Sequence, residues 1–245
     1  MSGLTARNST NEPATTHTVA TALSTAALST AALVIAAIAF ALYPILRSSA
    51  DEVGLSAAAL YARPAWLLAH CLGMIGFLTA AWGLGRIDRL AGRLAFGGTV
   101  LVLPYYGAEA YGLHAIGVLA LRLHDPSGIP AADMFRYQPV AITTFGIGLL
   151  LFAAAGVRLL FLLGRSSLLR RVGLMIAGLA LIAYLPQFFL PIQFRIAHGV
   201  VFGIGLLALA WTTARQESSD SSRPATRSRT APAIVSRDSR AGSTR

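Results

Sequence analysis

Six stretches of this chain are apolar for about twenty residues or more, the length of helix that crosses about 30 Å of hydrocarbon. That limits the fold more than any single motif does. Only 12% of the residues are charged and the mean hydropathy is +0.63, whereas a soluble domain of this size carries about twice that charged share. The expected fold class is therefore all-α: a polytopic membrane protein, a bundle of six transmembrane helices. The spans fall at about 18–46, 65–84, 94–121, 139–163, 172–190 and 196–212.

The connectors between the spans alternate in charge. Residues 85–93 carry Arg86, Arg89 and Arg93 against Asp88, and 164–171 carry only Arg165, Arg170 and Arg171. In 46–64, Arg47 and Arg63 cancel Asp51 and Glu52; in 122–138, Arg122 and Arg136 cancel Asp125 and Asp133. Basic loops stay inside, so both termini are expected in the cytoplasm, with 46–64, 122–138 and the turn near 191–195 outside. Trp82 and Trp211 fit as aromatic anchors at inner ends, and Tyr43, Trp66 and Tyr137 at outer ends.

Residues 1–17 and 213–245 are too polar to bury a core and are expected to be disordered cytoplasmic segments. The first span, with its Leu23-Ser-Thr-Ala-Ala and Leu28-Ser-Thr-Ala-Ala tandem, is too long for a cleaved signal and follows a barely basic start. The net charge of +10 resides in arginine, with no lysine, placed at helix ends and in the tail. It points to the bilayer and to anionic lipid around the tail, and no nucleic-acid partner is expected. Arginine without lysine, with abundant Ala and Gly, also suggests a high-GC bacterium and hence a bacterial plasma membrane. The lone Cys71 excludes an intrachain disulfide.

Within the third span, Pro104-Tyr-Tyr-Gly-Ala-Glu-Ala-Tyr-Gly-Leu-His114 sets a carboxylate, an imidazole and three phenols at membrane depth. Such groups mark a site or a paired structural network, because leaving them unpaired in hydrocarbon is costly. Counting helical rise from the inner arginines gives their height. His70 lies about sixteen residues above Arg86, Glu109 above Arg93 and Gln187 above Arg171, and His198 about seventeen above Arg215. All four reach about 24 Å above the inner charges, which predicts one polar layer in the outer half of the bundle. Tyr105, Tyr106 and His114 join it as ligand candidates, although Glu109 and His114 are about 140° apart on a regular helix. Pro104, Gly107 and Gly112 predict a broken, centrally packed third span, with those residues at helix contacts and Glu109 buried.

Four readings of that layer stay open. It pins helices together through hydrogen bonds. It holds a metal, zinc or non-haem iron, on His70, Glu109 and His198, with His114 or Cys71 as a further ligand. It clasps haem b between His70 and His198, which a weak repeat of the hairpins around Ala69-His70 and Ala197-His198 would make equivalent. Or its midmembrane carboxylate serves a small transporter or proton-coupled carrier. His124-Asp125 fits a solvated turn, and Gly199-Val-Val-Phe-Gly203 fits helix packing inside the chain. With no P-loop, dinucleotide or His-Glu-x-x-His pattern, no reaction is assignable.

Overall fold

The computed structural model describes residues 13–221; of the segments expected to be disordered, 1–17 and 213–245, the parts at 1–12 and 222–245 lie outside them, while 13–17 and 213–221 are helical. Among the described residues there is no strand. The elements are α1 (Pro13–Arg47), α2 (Gly54–Tyr61), α3 (Pro64–Ile87), α4 (Arg89–Gly107), a π-helical turn (Ala108–Gly112), α5 (Leu113–Leu123), α6 (Ala131–Arg136), α7 (Pro139–Leu160), α8 (Leu168–Ile182) and α9 (Ile192–Ser221). Short 3-10 turns lie at Pro126–Gly128, Leu163–Arg165 and Pro186–Phe189.

Among the described residues, four helices are long and apolar enough to cross a membrane: Ala27–Arg47, Pro64–Ile87, Pro139–Leu160 and Ile192–Gln216. The third and fifth expected spans are built differently. The third is interrupted by the π turn, and α8 is 15 residues long and stops at Ile182, short of the expected 190. The ninth helix overruns its expected end at 212 and reaches Ser221, and the first begins at Pro13 rather than 18.

Local chemistry explains the boundaries. Pro64 and Pro139 sit in the first turns of α3 and α7, where a missing N–H costs nothing. Asp88 ends α3 and caps α4 by accepting from the Ala91 amide at 2.9 Å. Its carboxylate also takes a two-pronged pair from Arg158, at 3.0 and 2.7 Å, tying α7 to the α3–α4 corner. That hydrogen-bonded guanidinium holds the Asp88 carboxyl below its usual range.

The long helices form a closed ring in chain order: α1 packs on α3, α3 on α4, α4 on α7, α7 on α8, α8 on α9, and α9 returns to α1. Small residues set the spacing. A side chain at Gly156 would strike the Gly178 carbonyl, and one at Gly203 would lie 2.9 Å from the Ala37 carbonyl. The Gly199–Gly203 pair thus packs within the chain, against α1. Aromatic rings fill the middle. Phe77 stacks on Phe152 at 4.9 Å, Phe40 on Phe202 at 4.8 Å, and Tyr106 and Tyr184 each meet Phe77 within about 5.3 Å.

A second apolar cluster caps the end of the ring that carries residues 48–63 and 124–138, here the upper end. From Arg89 to Leu123 the chain rises about 50 Å, against about 36 Å for α3, so α5 stands clear of the ring. Around it pack Ala57, Leu60 and Tyr61 of α2, Ile129, and Ala132 of α6. Two connectors read as loops are therefore folded. Gly117 lets α2 cross α5 closely, since a Cβ there would meet the Ala58 carbonyl at 2.8 Å.

Three expectations need correcting. The third span is one member of the ring, flanked by α3 and α7, and is not central. Gly107 and Gly112 have nothing within 4 Å of a would-be Cβ, and Pro104 is exposed, so none of the three is a helix contact. Pro104 and Gly107 precede the π turn and Gly112 is its last residue, so they mark a break in the backbone pattern rather than close packing. Lastly, Trp66 and Tyr43 are buried inside the upper end, whereas Trp82, Trp211 and Tyr137 are exposed.

Candidate functional site

Glu109 sits in the π turn and is buried, as expected. Its partner is Arg136, at the end of α6, which the sequence placed in a loop. Arg136 Nε donates to Glu109 Oε1 at 2.6 Å and Nη2 to Oε2 at 2.9 Å. The remaining arm, Nη1, donates to Glu52 Oε2 at 2.7 Å. Glu52 also accepts from the Tyr61 hydroxyl at 2.8 Å and from Arg47 Nη2 at 3.1 Å. One guanidinium thus links the ring, through Glu109, to the capping residues Glu52 and Tyr61. Burial would raise the Glu52 carboxyl, but the Arg136 charge and the Arg136, Tyr61 and Arg47 contacts outweigh it and hold it below its usual range. Tyr61 moves up, because burial and the neighbouring Glu52 both disfavour its phenolate.

His70 lies beside this bracket. A carbonyl only accepts, so His70 Nδ1 carries the proton it gives to the Trp66 oxygen at 2.8 Å. Its Nε2 then faces Glu109 Oε2 at 3.8 Å. Trp66 donates its indole N–H to the Glu109 carbonyl at 2.8 Å and lies beneath the Arg47 guanidinium, 5.0 Å from the ring centre. The His70 ring is enclosed by Trp66, Tyr43 and Tyr106, with centroids 4.5 to 5.8 Å away.

The expected single layer divides in two. His70 and Glu109 meet, together with Tyr105 and Tyr106. His198 instead donates Nε2–H to the Ala180 carbonyl of α8 at 2.8 Å. It lines a separate cavity of about 20 Å3, space for one water, with Gln187 and Tyr184. His114 gives Nδ1–H to the Tyr61 carbonyl at 2.9 Å and so fastens α5 to the end of α2. Cys71 points to exposed Tyr111, 3.9 Å from its hydroxyl. Among the described residues no three His, Cys, Asp or Glu side chains gather to hold a metal ion. The proposed trio of His70, Glu109 and His198 is not brought together, because depth along a helix says nothing about the direction a side chain faces.

What the upper end does enclose is a cavity of about 550 Å3, within the usual range for small-molecule sites. Tyr43, Tyr105, Tyr106, Phe145 and Phe188 give it an aromatic lining, and Arg47, Glu52, His70, Glu109, Arg136 and Arg195 its charges and polarity. Two of its polar groups are incompletely matched among the described residues. The Tyr106 hydroxyl is buried beside the Tyr43 and Tyr184 phenols and makes no well-formed hydrogen bond among the described residues. Arg195 makes no ion pair among the described residues; it donates to the carbonyls of Leu190 and Phe188. Counting arginines against carboxylates, three guanidiniums face two carboxylates, an excess of one positive charge. Sequence reasoning missed Arg47, Glu52, Arg136 and Arg195. A usable signal was present: a buried carboxylate needs a cation, and these arginines all lie near upper helix ends.

No known protein family, curated protein or solved structure matches this chain.

The bracket predicts strong coupling between its members. Arg136→Gln leaves Glu109 buried without its cation and should cost about 3–5 kcal/mol. Adding Glu109→Gln should return most of that loss, as read from unfolding of the purified protein in detergent. Additive effects would show that the pair is not coupled.

Proposed function

We propose that this is a six-span protein of a bacterial plasma membrane, with both termini cytoplasmic, that binds a small singly charged anion with an apolar body. Support for the six spans comes from the closed ring, in which α4 with its π turn and α8 stand between the four long apolar helices. Support for the orientation comes from charge: Arg165, Arg170 and Arg171 leave the lower end basic, while the upper end pairs its arginines with Glu52 and Glu109. Impermeant maleimide on intact cells checks it, in a background where Cys71 is replaced by Ser. A cysteine at Ser127 should label from outside and one at Ser166 should not; the reverse pattern would overturn the orientation.

The observation that carries the ligand reading is Arg195, without an ion pair among the described residues, in the same aromatic cavity as Tyr106, whose buried hydroxyl makes no well-formed hydrogen bond. An anionic group would complete both, as charge-assisted acceptor for the guanidinium and as partner for the phenol. The aromatic rings closing the floor favour binding over conduction along the ring axis. The bracket of Arg136, Glu109 and Glu52 is already self-satisfied, so its role is to shape the cavity.

A chain-length-matched series tests this. Octyl sulfate, at a hundredfold excess over its Kd, should stabilise the protein by about 2.7 kcal/mol. Octyl glucoside and octyltrimethylammonium should not, and Arg195→Gln should abolish the sulfate effect. Equal stabilisation by all three amphiphiles, or an undiminished effect in Arg195→Gln, would remove the reading.

A further inference from the structure

The walls of the cavity differ in chemistry, and the difference bears on how a ligand reaches it. Toward the upper surface stand Glu52, Arg136 and Tyr137. The same three line a second cavity of about 670 Å3 on their far side, beside Asp125, Ser127 and Asp133. Between the two spaces, Arg136 Nη1 and the Tyr61 hydroxyl converge on Glu52 Oε2 at 2.7 and 2.8 Å. A bonded salt link thus stands between the two spaces, beside the exposed Tyr137 that lines both.

The side wall is apolar. It consists of Ile142, Phe145 and Gly146 on α7, facing Leu185, Phe188 and Phe189 at the Pro186–Phe189 turn. Helix lengths explain why the ring is weakest here. The fifteen residues of α8 rise about 23 Å, whereas the 22 of α7 rise about 33 Å. The two helices run antiparallel and touch at Gly156 and Gly178, so the upper part of α7 has a turn beside it instead of a helix. Phe145 and Phe188 meet there, ring centres 5.7 Å apart. Ile142 and Phe189 are 45% and 83% exposed while also lining the cavity.

We infer that the ligand is a lipid with one negative charge, entering from the bilayer between α7 and the Pro186–Phe189 turn. This rests on the anion-binding reading above. The head, a phosphodiester or carboxylate, meets Arg195 with Arg47 nearby, and the chains leave past Ile142 and Phe189. Arg47 ends α1 and Arg195 opens α9, which is the level of the outer headgroups when the ring spans a bilayer. A soluble anion would approach past the charged Arg136–Glu52 link, whereas a lipid would approach along the apolar side wall. The single surplus charge matches a phosphatidylglycerol-type head better than a zwitterionic one, which brings a cation of its own.

Native mass spectrometry of the protein in uncharged detergent tests this, with equimolar dioleoylphosphatidylglycerol and dioleoylphosphatidylcholine. One phosphatidylglycerol should be retained in preference. Arg195→Gln should reduce retention about tenfold, as expected for a lost charge-assisted hydrogen bond. Ile142→Trp, on an exposed face and with an unchanged melting temperature, should reduce it as well by obstructing the side opening. Equal retention of both lipids, or phosphatidylglycerol binding untouched by Ile142→Trp, overturns the lipid assignment. Displacement of the lipid by millimolar dimethyl phosphate would make a soluble anion the ligand and leave the anion-binding reading standing. Loss of the octyl sulfate effect in the wild type would remove both.

Discussion

The Arg136 guanidinium, held between Glu109 and Glu52, is the contact on which the upper half of this molecule depends. Glu109 lies in the ring, Glu52 in the connector before α2, and Arg136 in the connector before α7. A buried carboxylate without a cation would cost several kcal/mol, so the ring cannot carry Glu109 unless the connectors fold over it. The apolar cluster of α2, α5 and α6 supplies the body of that cap, and the ion bracket fixes where it sits. The cavity beneath is a consequence: a π turn displaces the helix, a short α8 leaves a gap, and the cap closes the top.

The same economy of polar groups accounts for the histidines. His70, His114 and His198 each give one N–H to a backbone carbonyl, at 2.8, 2.9 and 2.8 Å. Two of those bonds cross between elements, α5 to α2 and α9 to α8, and act as fasteners within the cap and the ring. The bland reading of the polar layer, that it pins helices together, therefore describes His114 and His198. It does not describe Arg195, which bonds two carbonyls but has no ion pair among the described residues, or the buried Tyr106 hydroxyl, which makes no well-formed bond there. The two classes of polar group separate structure from the proposed binding function.

Much of the ring was legible in the sequence, and the cap was not. Apolar length depends on composition alone, so α1, α3, α7 and α9 could be bounded within a few residues at most ends. The π turn could not. Pro104, Gly107 and Gly112 announced an irregularity, but a regular helix was the only ruler available for placing Glu109 and His114. Height counting correctly put His70 beside Glu109 and wrongly added His198, since a rise per residue fixes depth and leaves the facing direction free. Arg136 was hidden for a related reason. Its Cα belongs to a connector whose charges cancel on paper, while its long side chain reaches back into the ring. Trp66 and Tyr43 misled in the same way, because aromatics at a helix end can anchor to an interface or close a cavity.

The central claim is that the ion bracket, more than the apolar contacts around α5, holds the cap over the cavity. Amide hydrogen exchange of the wild type and Arg136→Gln measures this directly. Residues 54–61 and 131–136 should lose protection in the variant, while 73–84 and 148–159, which pack around the aromatic centre, keep theirs. Unchanged protection in both capping segments, or equal loss throughout the ring, would contradict the account.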